Sequence, residues 1–184
     1  MISAYAITKD RIRRVSIDNL PKTPVWIRCI KPDRESIELL SRLSKIPISE
    51  FFESIEEDER PKVSIKRYIE VVYRAPHVGD GEDIVTAPVY IYVYKNLIIT
   101  IEKYRNHTLA DIAEQMHRNK KRFLLKKGAG YFIFFILDSI NDRFLRFIDS
   151  IGEGVEVFEG KRELSDENVE KIYDSSVALS HFNQ

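Results

Sequence analysis

Acidic residues crowd one short segment of this chain. Residues 49–59 read SEFFESIEEDE, with Glu50, Glu53, Glu56, Glu57, Asp58 and Glu59. Carboxylates at that density serve one of two ends. They solvate an exposed helix face, or they offer hard oxygen ligands to a divalent cation. Magnesium keeps several of its waters and touches only one or two carboxylates, so such a site leaves no compact signature. Four histidines, His77, His107, His117 and His181, raise a second metal question. None stands in an HExxH or a paired Cys/His spacing, so surface or capping roles are expected rather than a zinc site. Cys29 is the sole cysteine and lies in VWIRCI. It reads as a small buried hydrophobe in a reducing setting, and no internal disulfide can form. There is no GxSxG and no GxxxxGK[ST] loop, and Gly79 and Gly81 supply only a bare GxG. Nucleophilic chemistry has no candidate, and no enzyme activity is expected.

A basic run, His117-Arg118-Asn119-Lys120-Lys121-Arg122, continues to Lys126 and Lys127. Its simplest reading is a set of cations that solvates a helix end and complements its dipole. Phosphate or lipid headgroup binding is the alternative. The whole chain is neutral, with a formal net charge of +0. That excludes the basic excess of a dedicated nucleic-acid binder, and no nucleic-acid partner is expected. Hydrophobic residues make up 43% of 184 and charged residues 32%, enough apolar material for a real core. The longest pure apolar run, YFIFFIL at 131–137, is far short of the roughly 20 residues a bilayer crossing needs. Lys9, Asp10, Arg11, Arg13 and Arg14 are followed by no apolar block, so no secretory signal is read. The chain by itself is expected to be soluble.

The elements that must carry these residues follow from pattern. ISAYAIT (2–8), RVSI (14–17) and PVWIRCI (24–30) read as strands. Asp33 looks like a helix N-cap, with Ile37, Leu40 and Leu43 at helical spacing and an end near Lys45. Ser49 could cap a short helix through Phe51, Phe52 and Ile55. Pro61 cannot continue it, so the chain turns extended at Arg60-Pro61. Residues 63–74 then alternate as one half-buried strand. Val63, Ile65, Ile69, Val71 and Tyr73 lie on one face, with Arg67 the exception, and Ser64, Lys66, Glu70 and Arg74 on the other with Tyr68 and Val72. Residues 75–83 read as a loop, and 84–94 with 97–103 as an antiparallel hairpin across Lys95-Asn96. A helix capped near Thr108 should run to about Leu125, with Gly128 and Gly130 breaking it. A long helix from Tyr131 should carry Phe132, Phe135, Ile136, Ile140, Phe144, Phe147 and Ile151 to a stop at Gly152 and Gly154. Ser165 should open a last helix with Val169, Ile172 and Tyr173. Strands first and long helices later define an α+β (mixed α/β) class, a sheet covered by helices.

Four segments in this order resemble the N-terminal cytoplasmic domain of CorA-type magnesium transporters. They are PVWIRCI, IPISEFFESIEEDERPKVSIKRYIEVVYRA, PVYIYVYKNLIITIEK and KKRFLLKKGAGYFIFFILDSINDRF. The positions that carry the likeness are Trp26, Ile46-Pro47, Glu59-Arg60-Pro61-Lys62-Val63, Tyr68 and Asn96-Leu97-Ile98-Ile99-Thr100. Asp138 and Asp142 match the acids of the family's LxDxxxDxY pattern, with Phe144 in place of its tyrosine. The likeness covers residues 24 to 150 well and the ends loosely. Trp26, Arg60, Pro61, Lys62, Tyr68 and Asn96 read as its structural motif.

The resemblance implies a largely antiparallel mixed sheet between helices, α/β/α, with long C-terminal helices. Residues 1–160 would form this cytoplasmic domain and 161–184 the start of a stalk-side helical region. A stalk, two membrane spans and a Gly-Met-Asn pore signature, none of them in this sequence, would follow in the full-length membrane protein. Five chains would assemble as a homopentamer, with this piece alone a soluble monomer. Regulatory Mg2+, or Co2+, Ni2+ or another divalent cation, would bind between neighbouring domains and hold the pore closed. Glu53 takes the place of the family's key acid on the short helix, and Phe52 replaces the acid before it. Asp138 matches the acid on the long helix, and a stalk acid would lie beyond residue 184. Two alternatives are a related zinc-efflux transporter, which shares this domain, and a stand-alone soluble binding module.

Overall fold

A computed structural model describes residues 1–9, 11–56, 60–78, 84–118 and 123–159, with 173, 176 and 177. Within them one seven-stranded sheet has β1 (Ile2–Thr8), β2 (Arg11–Val15), β3 (Val25–Ile30), β4 (Lys62–Ile65), β5 (Ile69–Val78), β6 (Ile84–Tyr94) and β7 (Leu97–Glu102). The order across the sheet is β2-β1-β3-β7-β6-β5-β4. β3 and β7 pair in parallel, from Val25 opposite Leu97 to Ile30 opposite Glu102. The other pairs are antiparallel. A parallel pair needs a long crossover. Here that crossover contains α1 (Arg34–Ser44), α2 (Ile48–Glu56) and the strands β4 to β6. Both central strands are buried along their whole length. Covering on both faces explains why VWIRCI and LIITIE read as continuous apolar runs rather than alternating ones.

Each face of the sheet has its own apolar core. On one, Ile37 and Leu40 of α1 and Phe51 of α2 pack on Val25, Ile27, Tyr90, Tyr92 and Ile99. On the other, α3 (His107–His117), α4 (Phe123–Lys126) and α5 (Ala129–Glu159) cover Trp26, Val71, Val89, Ile91 and Ile98. Phe132, Ile136 and Ile140 of α5 are fully buried there. Each such side chain contributes about 1.5–3 kcal/mol of transfer free energy. The result is the α/β/α sandwich with a largely antiparallel mixed sheet that the sequence led us to expect.

Local signals hold where neighbours alone decide. The Asp33 side chain accepts from the Ser36 N–H at 2.8 Å and caps α1. Lys45 closes α1 in the left-handed conformation, φ 60°, with its N–H on the Ser41 carbonyl. The β6–β7 hairpin turns at Lys95-Asn96.

Elsewhere the structure corrects the sequence reading. The second strand begins at Arg11 rather than Arg14, because Thr8 already pairs with Arg11. The single strand expected over 63–74 is two antiparallel strands, with Val63 opposite Val71 and Ile65 opposite Ile69. The connection, residues 66–68, is three residues long. An odd number preserves the period-two parity, so the alternation passes through the turn unbroken. Val63 and Ile65 end up on an edge strand, 67% and 79% exposed. The expected loop at 75–83 is strand as far as Val78. Pro76 is tolerated because β4 reaches only Val72, so the outer edge of β5 has no ladder there to supply.

α2 starts at Ile48, one residue before the expected Ser49 cap. α3 is capped by Asn106, whose Oδ1 accepts from the Leu109 N–H at 3.0 Å, not by Thr108. It ends at His117 rather than near Leu125. Gly130, Gly152 and Gly154 lie inside α5. A glycine in a helix interior costs only about 1 kcal/mol, and a 31-residue helix with a buried stripe absorbs it. Gly128, at φ 92°, is the one that breaks the chain path. Glu57, Asp58, Glu59, Gly79, Gly81, Lys120, Lys121, Arg122 and His181 lie outside the described residues, as does the 161–184 region apart from 173, 176 and 177, which are helical.

Candidate functional site

The acidic helix is held to the sheet by a small set of contacts. Phe51 is fully buried and meets Tyr92 edge-on, ring centroids 4.9 Å apart at 69°. The Tyr92 hydroxyl stands 3.2 Å from the Glu50 carbonyl and 3.2 Å from Glu70 Oε1. Lys66 Nζ donates to both oxygens of the Glu50 carboxylate, at 2.8 and 2.9 Å. Burial pushes Glu50 upward, but the Lys66 hydrogen bonds, the nearby Tyr68 phenol and the lysine charges outweigh it, and the net shift is downward. Burial, and then the Glu50 carboxylate beside it, push the Tyr68 phenol up to about 12. Glu53 follows three residues on and is exposed.

Glu70 is the residue the sequence reading missed. Its alternation placed it on a solvent face, yet it is 4% exposed. α2 covers that face of β5, and Tyr92 and Lys62 Nζ, the latter at 3.9 Å, answer its charge. No local signal marks a strand as covered on both sides at its edge.

Asp138 is exposed on α5 and lines a cleft of about 230 Å³ between α3 and α5. Asp111, Asp142, Thr108 and Arg146 line the same cleft. The Thr108 hydroxyl is buried and has no hydrogen-bond partner. Despite these acids, no group of three or more His, Cys, Asp or Glu side chains able to hold a metal ion occurs among the described residues. Glu53 and Asp138 are not brought together either. α2 covers one face of the sheet and α5 the other. Both are hard carboxylates open to solvent, which suits a hydrated magnesium ion that needs only one or two of them.

The motif residues have structural partners. Trp26 Nε1 donates to Thr100 Oγ1 at 3.0 Å, its ring stacks on Tyr5 at 5.2 Å, and Phe132 meets it edge-on at 5.1 Å. One side chain thus ties β1, β3, β7 and α5 together. Asn96 Nδ2 donates to the carbonyls of Thr23 at 3.0 Å and Pro21 at 3.4 Å, fixing the loop that enters β3. Tyr68 is buried under α2 beside Tyr92. Arg60, Pro61 and Lys62 are exposed at the entry to β4.

A buried ion pair anchors the start of α3. Arg28 is 6% exposed and Glu102 is fully buried. Arg28 Nη2 donates to Glu102 Oε2 at 2.7 Å and to the Asn106 carbonyl at 3.2 Å. The Asn106 N–H donates to the same carboxylate at 2.8 Å, so Glu102 holds the residue that caps α3.

Among the described residues, a mixed sheet with one central parallel pair carries two helices on one face and three on the other, the α/β/α class of domain. Residues 21–182 match the family described as CorA-like Mg2+ transporter protein, and this chain belongs to that family. It is 26% identical to the cobalt/magnesium transport protein CorA of Methanocaldococcus jannaschii over 193 aligned positions, covering 100% of this chain and 60% of that protein. The complete structure of that organism's CorA magnesium transporter superposes with a TM-score of 0.88 at 22% identity, covering 99% of this chain and 58% of that one. Its soluble domain gives 0.78 at 22% identity, covering 99% and 73%. The chain thus spans about 60% of the length of the relative it matches. Among the described residues, no helix is long and apolar enough to cross a membrane.

Proposed function

We propose that this chain is the cytoplasmic, divalent-cation-sensing part of a magnesium channel, a regulatory domain with no catalysis of its own. Residues 1–160 form the sensing domain, and 161–184 begin the helical region that leads toward the membrane. Magnesium is the proposed ion, with cobalt and nickel of matching hard-ligand chemistry. The observation that carries this reading is the separation of Glu53 and Asp138. They are exposed on opposite layers of one sandwich. An ion held by both would bridge two chains, the arrangement of a homo-oligomer, a pentamer in the full-length protein. A bridging cation favours the closed assembly by its differential affinity for the two states, and its loss lets the ring loosen.

Calorimetric titration of the assembled protein with magnesium and with cobalt tests this. Glu53→Ala and Asp138→Ala should each weaken binding by about tenfold or more, the equivalent of about 1.4 kcal/mol. Unchanged binding in either variant would refute the assignment of that residue as a ligand.

A further inference from the structure

The acids of α2 are not equivalent. Glu50 and Glu53 are spaced three apart and share one side of the helix. Glu53 is exposed, whereas both Glu50 oxygens are already engaged by a cation that belongs to the chain itself, Lys66. That ammonium is held in place. Lys66 opens the three-residue turn between β4 and β5, its backbone N–H bonds the Tyr68 carbonyl at 2.8 Å, and its Nζ lies 5.7 Å from the Tyr68 ring centroid. The pair is partly open to water, with side-chain exposures of 50% for Lys66 and 19% for Glu50. It is therefore a local charge balance that an incoming ion can sense, rather than a sealed core bridge.

We propose that Lys66 sets the cation affinity of α2, by holding the Glu50 carboxylate and leaving Glu53 to meet a divalent ion without it. This rests on the reading of Glu53 as a ligand. The ammonium acts twice. It withholds a second carboxylate from the same helix side, and it adds a positive charge next to the site. Magnesium and its relatives accept one or two carboxylates, so a released Glu50 can join Glu53 directly or through a bound water. Lys66 is thus an affinity-setting residue and not itself a ligand.

Calorimetric titration of the assembled protein with cobalt(II) chloride tests the proposal. Lys66→Met should bind about threefold to tenfold tighter than wild type, the range expected for one charge at a partly solvated site. Lys66→Arg, which keeps the charge, should bind like wild type. Lys66→Met/Glu50→Gln, which removes the freed carboxylate as well, should return to within about twofold of wild type. Lys66 is exposed, so its loss leaves the core intact, and unchanged circular dichroism confirms that. Equal or weaker binding by Lys66→Met overturns the inference. A double variant as tight as Lys66→Met overturns the role of Glu50. If Glu53→Ala binds like wild type, the underlying reading fails instead. If Glu53→Ala is weakened while Lys66→Met is unchanged, that reading stands and only the Lys66 inference falls.

Discussion

Glu102→Ala should be among the most destabilising single changes in this domain. The carboxylate is fully buried, and three donors converge on it: Arg28 Nε, Arg28 Nη2 and the Asn106 N–H. Burial raises its pKa, and the two bonds and the charge of Arg28 only partly offset that. Truncation leaves a guanidinium that is 6% exposed with one remaining carbonyl contact at 3.2 Å. An uncompensated buried charge of this kind costs about 3–5 kcal/mol. With a urea slope of about 2 kcal/mol/M, the unfolding midpoint should fall by about 2 M. Two comparisons isolate the cause. Glu38→Ala breaks a surface pair with Arg34, whose partners are 46% and 82% exposed, and should cost less than about 0.5 kcal/mol. Arg28→Met/Glu102→Leu removes both charges and should be more stable than Glu102→Ala, because no charge is stranded. Equilibrium urea unfolding of the purified chain reads all three. A midpoint drop under about 0.5 M for Glu102→Ala, or a double variant no better than the single, would refute the reasoning.

Two other outcomes follow from local geometry. Hydrogen bonds from the Ser36 hydroxyl and then its backbone N–H hold the Asp33 carboxyl below its ordinary value. A lowered folded pKa means the stabilisation is present above the unfolded value and lost as pH falls through the folded one, so the start of α1 should fray below about pH 4. Hydrogen exchange at the Ser36 amide should show that step, and Asp33→Asn, which caps without titrating, should abolish it. Trp26→Phe should cost about 2–4 kcal/mol, since it opens space against Tyr5 and Phe132 and strands the Thr100 hydroxyl. Adding Thr100→Val should recover about 1 kcal/mol of that in urea unfolding.

The amino-acid sequence by itself determined the features that depend on a few neighbouring residues. Asp33 and Lys45 bound α1 because a side-chain acceptor and a left-handed residue act within one turn. Lys95-Asn96 turns the hairpin, and the apolar runs of β3 and β7 read as strands. The family was legible too, since Trp26, Arg60-Pro61-Lys62 and Asn96 occur in its order.

Other features were decided only when the chain packed. The division of residues 62–78 into two strands was invisible because a three-residue turn keeps the alternation in phase. Asn106 displaced Thr108 as the cap of α3 because Glu102, at the end of a strand, binds its N–H. Glu70 became buried because α2, from an earlier part of the chain, lies across its face. The acidic segment that first raised a metal question is the clearest case. Its composition counts Glu50 and Glu53 alike, but the Lys66 turn comes back beneath the helix and claims one of them. The placement of Glu53 and Asp138 on opposite layers is of the same kind. Strand order and crossover paths choose which face each helix covers, and no window of neighbouring residues contains that choice.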